Sequence, residues 1–216
     1  MRSKFVLVIL LLFLNFTLLI SPAYAQSPDI GQARINAASP LYFLKSIQEI
    51  LQLKFAKTPN DRYLNRLKFI TRRVAEVKSL AGTSREDLIE PTLEKYWSQF
   101  QELRSTTNLK DWETAKKVSY GMVAQMDSLQ TVFTQVSNPR AKRSVRLAVN
   151  RISEWEGGFM GQIILFGQPA LTQDIINSRL SGCNFLSKEA SSSALNEVEK
   201  TVFVERAKKC FPSLGK

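Results

Sequence analysis

ASPLYFLKSIQEILQLKFAK, residues 38–57, is the stretch on which the fold turns. Ser39 stands where a helix N-cap is expected and Pro40 where the first helical residue would be, because proline lacks an N–H that the first turn leaves unbonded anyway. From there Leu41, Leu44, Ile47, Leu51 and Phe55 recur every three or four residues, an apolar stripe. Such a stripe needs a covering surface. A membrane-surface helix has the same pattern, but more amphipathic helices follow at once, so the spacing predicts packing into a bundle.

The second helix is expected to start near Thr58 or Asn60, with Tyr63, Leu67, Ile70, Val74 and Val77 on one face. Arg62, Arg66, Arg72, Arg73 and Lys78 occupy much of the remainder, and Gly82 closes it. Next, Thr83 and Glu86 have the spacing of a capping box, Leu93, Tyr96 or Trp97, Phe100 and Leu103 carry an apolar repeat, and Pro91 starts or kinks a helix. Asn108 is placed to cap a longer helix. Its Trp112, Ala115, Val118, Met122, Met126, Leu129, Phe133 and Val136 repeat as a bundle seam would, and both methionines read as core filling rather than metal ligands.

The three segments SPLYFLKSIQEILQLKF, RRVAEVKSL and LEKYWSQFQEL together resemble an uncharacterised family of bacterial exported, extracytoplasmic helical domains. Its pattern is a Pro-Leu-Tyr-x-Leu-Lys helix entry, an Arg-rich helix with an Ala-Glu register, and a helix with Tyr in a Glu-rich setting. The resemblance covers about Ala38 to Leu103 and extends loosely through NPRAKRSVRLAV; RRVAEVKSL has fewer acids than that pattern. It implies a fold and a location, and no activity.

The location is also written at the N-terminus. Arg2 and Lys4 precede an apolar run from Phe5 to Ile20, and SPAYAQ supplies Ala23 and Ala25, so residues 1–25 read as a signal peptide cleaved between Ala25 and Gln26. The alternative is an uncleaved membrane anchor, but the run is short for a span and Asn15 interrupts it, so the product is expected to be periplasmic, held in the envelope or secreted, with no transmembrane helix once the leader is gone. In such an oxidising compartment Cys183 and Cys210 are expected to form a disulfide worth ~3–4 kcal/mol by chain entropy; they lack the C-x-x-C spacing of a redox pair.

NPRAKRSVRLAVNRISEWE starts a further helix with Asn138 and Pro139. Ala141, Val145, Ala148, Ile152 and Trp155 share one arc; Arg140, Lys142, Arg143, Arg146 and Arg151 lie opposite, and no acid occurs between Pro139 and Ser153. With a net charge of +11, that face is the candidate anion-binding surface, for lipid head groups or cell-wall polymer. The competing reading is a solvated face paired with acids such as Glu86, Asp87 and Glu90. Past Glu156, the glycines of GGFMGQIILFG mark a bend or a close helix approach before a short TQDIINSRL helix and a last helix over about Ser192 to Lys208, with Leu195, Val198, Val202 and Val204 apolar.

These elements give an all-α chain: signal peptide 1–25, extended lead 26–38, an antiparallel bundle of about five helices over 39–157, and a Gly-rich connection with a small disulfide-tied helical appendage over 158–216. Histidine is absent, as are a phosphate loop, a dinucleotide fingerprint and an Asp-rich calcium loop, so no cofactor or metal is expected. Carboxylates around Glu86, Asp87 and Glu90 leave a histidine-free hydrolase as the residual enzymatic option, but acids at a helix start are explained by the helix dipole. The expected role is a non-enzymatic cell-envelope module, structural or protein-binding, whose partner is another envelope protein or an anionic surface and which can form homo-oligomers.

Overall fold

The computed structural model describes residues 29–106, 112–164, 169–192 and 194–210. The signal segment and Asn108 lie outside them, as do the side chain of Cys210 and parts of the Gly-rich stretch. Among the described residues the regular structure is entirely helical: α1 (Tyr42–Lys54), α2 (Pro59–Leu80), a 3-10 turn (Glu86–Leu88), α3 (Ile89–Thr106), α4 (Trp112–Gln135), α5 (Pro139–Ile164), α6 (Pro169–Ala190) and α7 (Glu197–Cys210).

Local chemistry sets several of the helix starts. Thr58 caps α2 in a reciprocal box: the Asp61 N–H donates to Thr58 Oγ1 at 3.0 Å, the Thr58 N–H donates to Asp61 Oδ2 at 3.1 Å, and Pro59 takes the first helical position. Gly82, at φ +72°, supplies the left-handed residue just past the helix end. At α5, Asn138 Oδ1 accepts from the N–H groups of Arg140 (2.9 Å) and Ala141 (3.2 Å).

Three expectations are corrected. Ser39 does not cap α1: its Oγ accepts from the Leu41 N–H in a tight turn, and the helix starts two residues later than Pro40, at Tyr42. Thr83 and Glu86 form no capping box, because Glu86 is turned toward α5. Of the two readings of the glycines, a bend is not found at Gly157 and Gly158: α5 runs through both to Ile164, so the boundary at 157/158 falls inside a helix, and α6 is far longer than TQDIINSRL. A helical glycine costs only about 1 kcal/mol against alanine, which packing readily offsets. Here Gly157 makes room for Arg179, whose guanidinium lies 3.1 Å from where a Cβ would stand.

The centre of the molecule is a ring of four helices in which α2 packs on α3 and α4, and α5 packs on the same two. Ile70, Val74 and Val77 of α2 meet Tyr96 and Phe100 of α3, Met122, Met126 and Leu129 of α4, and Val145 and Ile152 of α5 in one buried core. Phe100 and Trp155 close it edge to face at 4.8 Å. Helix α6 continues this core through Ile175, and α7 covers α6 over a smaller cluster of Leu186, Leu195 and Phe203. Phe203 takes the buried place in α7, whereas Val198, Val202 and Val204 are exposed. Helix α1 packs on α2, outside the ring.

Candidate functional site

Helix α1 is mounted inside out. The stripe expected to enter the core, Leu41, Leu44, Ile47, Leu51 and Phe55, is exposed by 45–71%, and Phe43 and Ile50 beside it by 60% and 64%. At 100° per residue these seven side chains cover about half of the helix circumference, shared only with Gln48 and Lys54. The opposite face, carrying Tyr42, Lys45 and Glu49, is the one turned to α2. Monomeric proteins seldom expose an apolar area of several hundred Å2 unless something docks there.

The reason for the inversion is an ionic joint. Arg73 of α2 is buried and pairs with Glu49 of α1 and, at 2.6 Å, with Glu76 one turn along its own helix. Its Nη1 also donates to Tyr42 Oη at 2.8 Å, and that hydroxyl donates to Glu76 Oε2 at 3.1 Å. Lys45 Nζ adds a 2.5 Å contact to Glu76 and donates to the Ile35 carbonyl at 3.0 Å. Lys95 of α3 sits 4.9 Å above the Tyr42 ring. Arg73 and Glu76 already pair with each other on α2, and the polar side of α1 supplies the further partners that their burial calls for, Glu49, Lys45 and the Tyr42 hydroxyl; an apolar face would bury the pair without them.

The environment moves these groups as the geometry requires. Burial pushes the Glu49 carboxyl above the ordinary carboxylate range, against the pull of Arg73. Burial and the neighbouring Glu76 push the Tyr42 phenol up, so it stays a hydrogen-bond donor. Burial acts to lower Arg73, but attraction to Glu76 and Glu49 outweighs it and Arg73 is held more firmly charged.

The sequence-predicted sites fare differently. On α5, Arg146 is buried and donates two hydrogen bonds to Glu189 Oε2 at 2.8 and 2.9 Å, and Arg143 meets Glu199 at 2.6 Å. Lys142 lies over the Phe133 ring at 4.9 Å, Arg151 over Trp97 at 4.5 Å, and Arg140 is exposed. The pairing acids come from α6 and α7, not from Glu86, Asp87 or Glu90. Glu86 instead accepts from the N–H groups of Asn138 (2.6 Å), Ser137 (3.0 Å) and Gly82 (2.9 Å), fixing the start of α5. Desolvation opposes its charge, but those donors hold its carboxyl below the ordinary range. Asp87 pairs with Arg85 on the surface at 3.2 Å and Glu90 is exposed, so the three acids do not converge. Cys183 is buried in α6 with its Sγ 3.7 Å from Ser153 Oγ.

Residues 35–119 match DUF5667, a domain of unknown function. The expected resemblance to an uncharacterised domain family is therefore met. The DUF5667 segment runs from the turn before α1 into the first turns of α4 and contains the whole ionic joint. Two of the quoted resemblance motifs are its halves: Tyr42 and Lys45 belong to the Pro-Leu-Tyr-x-Leu-Lys entry, and Arg73 and Glu76 to RRVAEV. Outside the DUF5667 segment lie α5, α6 and α7. No curated protein and no solved structure matches the chain.

Sequence reasoning missed Glu49, Arg73 and Glu76. A signal for the joint was present: Tyr42, Lys45 and Glu49, at i, i+3 and i+7, share one face of α1.

Proposed function

We propose that this protein is an exported, non-enzymatic interaction module of the cell envelope whose working surface is the outer face of α1. The observation that carries the reading is the exposure of seven large apolar side chains on a helix whose polar side is already committed to Arg73 and Glu76. The ionic joint serves as the mount: it fixes α1 to the bundle without using the exposed apolar face. The basic face of α5 is the weaker docking candidate, since Arg146 and Arg143 are paired to acids and Lys142 and Arg151 stack on rings.

Export rests on the leader over residues 1–25 with cleavage between Ala25 and Gln26. In that compartment a Cys183–Cys210 bridge would tie the end of α7 to α6, on which α7 packs. Mass spectrometry of the unreduced exported protein tests both points.

The working surface is tested by oxidative footprinting of Phe43 and Phe55 in intact cells and in purified protein. Protection in cells of severalfold or more is expected. Equal reactivity in both would leave the face permanently bare and sink the reading.

A further inference from the structure

The occupant of the α1 face follows from its charge and shape, on the reading that this face is the working surface. We propose that α1 lies on the surface of an anionic phospholipid bilayer, with Phe43, Ile47, Ile50 and Phe55 in the boundary between head groups and acyl chains and with Lys54 and Lys57 at the lipid phosphates.

Charge argues for lipid. Glu49, the sole acid of α1, is buried in the joint, and the next acid along the chain, Asp61, is held in the Thr58 capping box. Lys54 and Lys57 are exposed, and Lys54 lies within the apolar arc, where its stem can follow the acyl boundary while the ammonium stays with the phosphates. A second copy of the chain would set these lysines against an identical face with no acid to meet them, between molecules that each carry a net positive charge.

Shape argues the same way. The face is one convex half-cylinder on the outside of α2, and a helix of 13 residues is about 20 Å long, too short to span a bilayer but suited to lying in its interface. Among the described residues no helix is long and apolar enough to cross a membrane. Because α1 is already folded and fixed by the joint, binding carries no cost of ordering a peptide.

The test is co-sedimentation of the protein beginning at Gln26, which contains every described residue, with vesicles of phosphatidylcholine alone and of phosphatidylcholine with an equal part of phosphatidylglycerol. Binding to the mixed vesicles that weakens with salt is expected. Replacing Phe43 and Phe55 together by Ser should reduce it at least tenfold, and K54Q with K57Q should reduce it about tenfold on the mixed vesicles alone. All four positions are exposed, so the variants keep the fold, which far-UV circular dichroism checks. Unchanged binding of the F43S/F55S variant, or no binding of the parent to either vesicle, overturns the proposal. Absence of vesicle binding with Phe43 still protected in cells points to a protein cover and leaves the interaction reading standing. A dimer in sedimentation velocity that F43S/F55S dissociates, without vesicle binding, makes a second copy the occupant and also overturns the lipid assignment.

Discussion

Arg73 of α2 and Glu49 of α1 form an ion pair inside the joint between the two helices, with side chains only 3% and 6% exposed. Burying such a pair is expensive, and replacing it by packed apolar side chains is often neutral or stabilising. Its presence here therefore speaks to orientation more than to stability. Charge complementarity decides which side of α1 faces α2, and hence that the apolar side faces out.

Arg73→Met removes the cation and leaves Glu49 and Glu76 buried without it, a defect on the order of 3–5 kcal/mol. Because α1 packs chiefly on α2, the defect should appear first as local detachment. The amides of residues 42–54 are expected to exchange with solvent at least tenfold faster, while the urea midpoint of the bundle moves much less. Native-state hydrogen exchange by mass spectrometry separates the two. A uniform acceleration across α2 to α5 would show instead that the joint supports the whole fold.

The inverted helix makes a second prediction that conventional patterning would not. Phe43→Ser and Ile50→Ser, at positions 60% and 64% exposed, should each change the unfolding free energy by less than about 1 kcal/mol. Ile70→Ala, at a fully buried position of α2, should cost about 2–5 kcal/mol. Urea denaturation of the three variants decides it, and a large loss at Phe43 would place that side chain in the core.

What the sequence reveals and what it hides differ by mechanism. Thr58 and Asn138 announce their helices because a cap is a contact within four residues, and the stripes of α4 and α5 point inward as their apolar spacing predicts, even though polar residues beside them, Arg146 among these, are buried too. Helix α1 has an apolar side and a charged side of equal rank. Which one is buried depends on Arg73 and Glu76, far along the chain, and Arg73 reads naturally as one more solvated cation of α2. The α5 face misleads for the same reason, since Glu189 and Glu199, which neutralise it, arrive from α6 and α7. The glycines at 157 and 158 are ambiguous in another way: glycine marks a bend or a close approach, and only the neighbouring Arg179 shows which.

Glu86 links the turn after α2 to the start of α5, so Glu86→Ala should cost about 2–4 kcal/mol through the unbonded N–H groups of Gly82, Ser137 and Asn138, some of them reachable by water. Its folded-state pKa is lowered, so its contribution is complete above the ordinary carboxylate value and is lost as pH falls through the folded value. Thermal melts between neutral and acid pH should therefore show the gap between variant and parent narrowing at low pH. Glu86→Gln, which keeps an acceptor but no charge, should fall between them.

Glu156 has the opposite sign. It lies fully buried on α5, accepts one hydrogen bond from Ser178 at 2.7 Å, and leaves its second oxygen without a hydrogen-bond partner. Burial pushes its carboxyl up to about 8; the Ser178 bond opposes this, Asp127 of α4 adds to it and Arg179 of α6 opposes it, while Tyr96 of α3 is raised chiefly by burial and partly by Glu156. Between the ordinary value and about 8 the folded chain holds a proton that the unfolded chain has released. Stability must then fall as pH rises through that window and level off above it, with a total on the order of 5 kcal/mol. Glu156→Gln keeps an acceptor for Ser178 and cannot ionise, so it should be more stable than the parent at pH 8 to 9 and lose that advantage toward pH 5. Glu49, also raised by burial, contributes a slope of the same sign to both proteins and cancels in the difference. Parallel urea titrations across this range measure it, and a difference that does not change with pH would mean that Glu156 ionises in the folded protein as freely as in the unfolded chain.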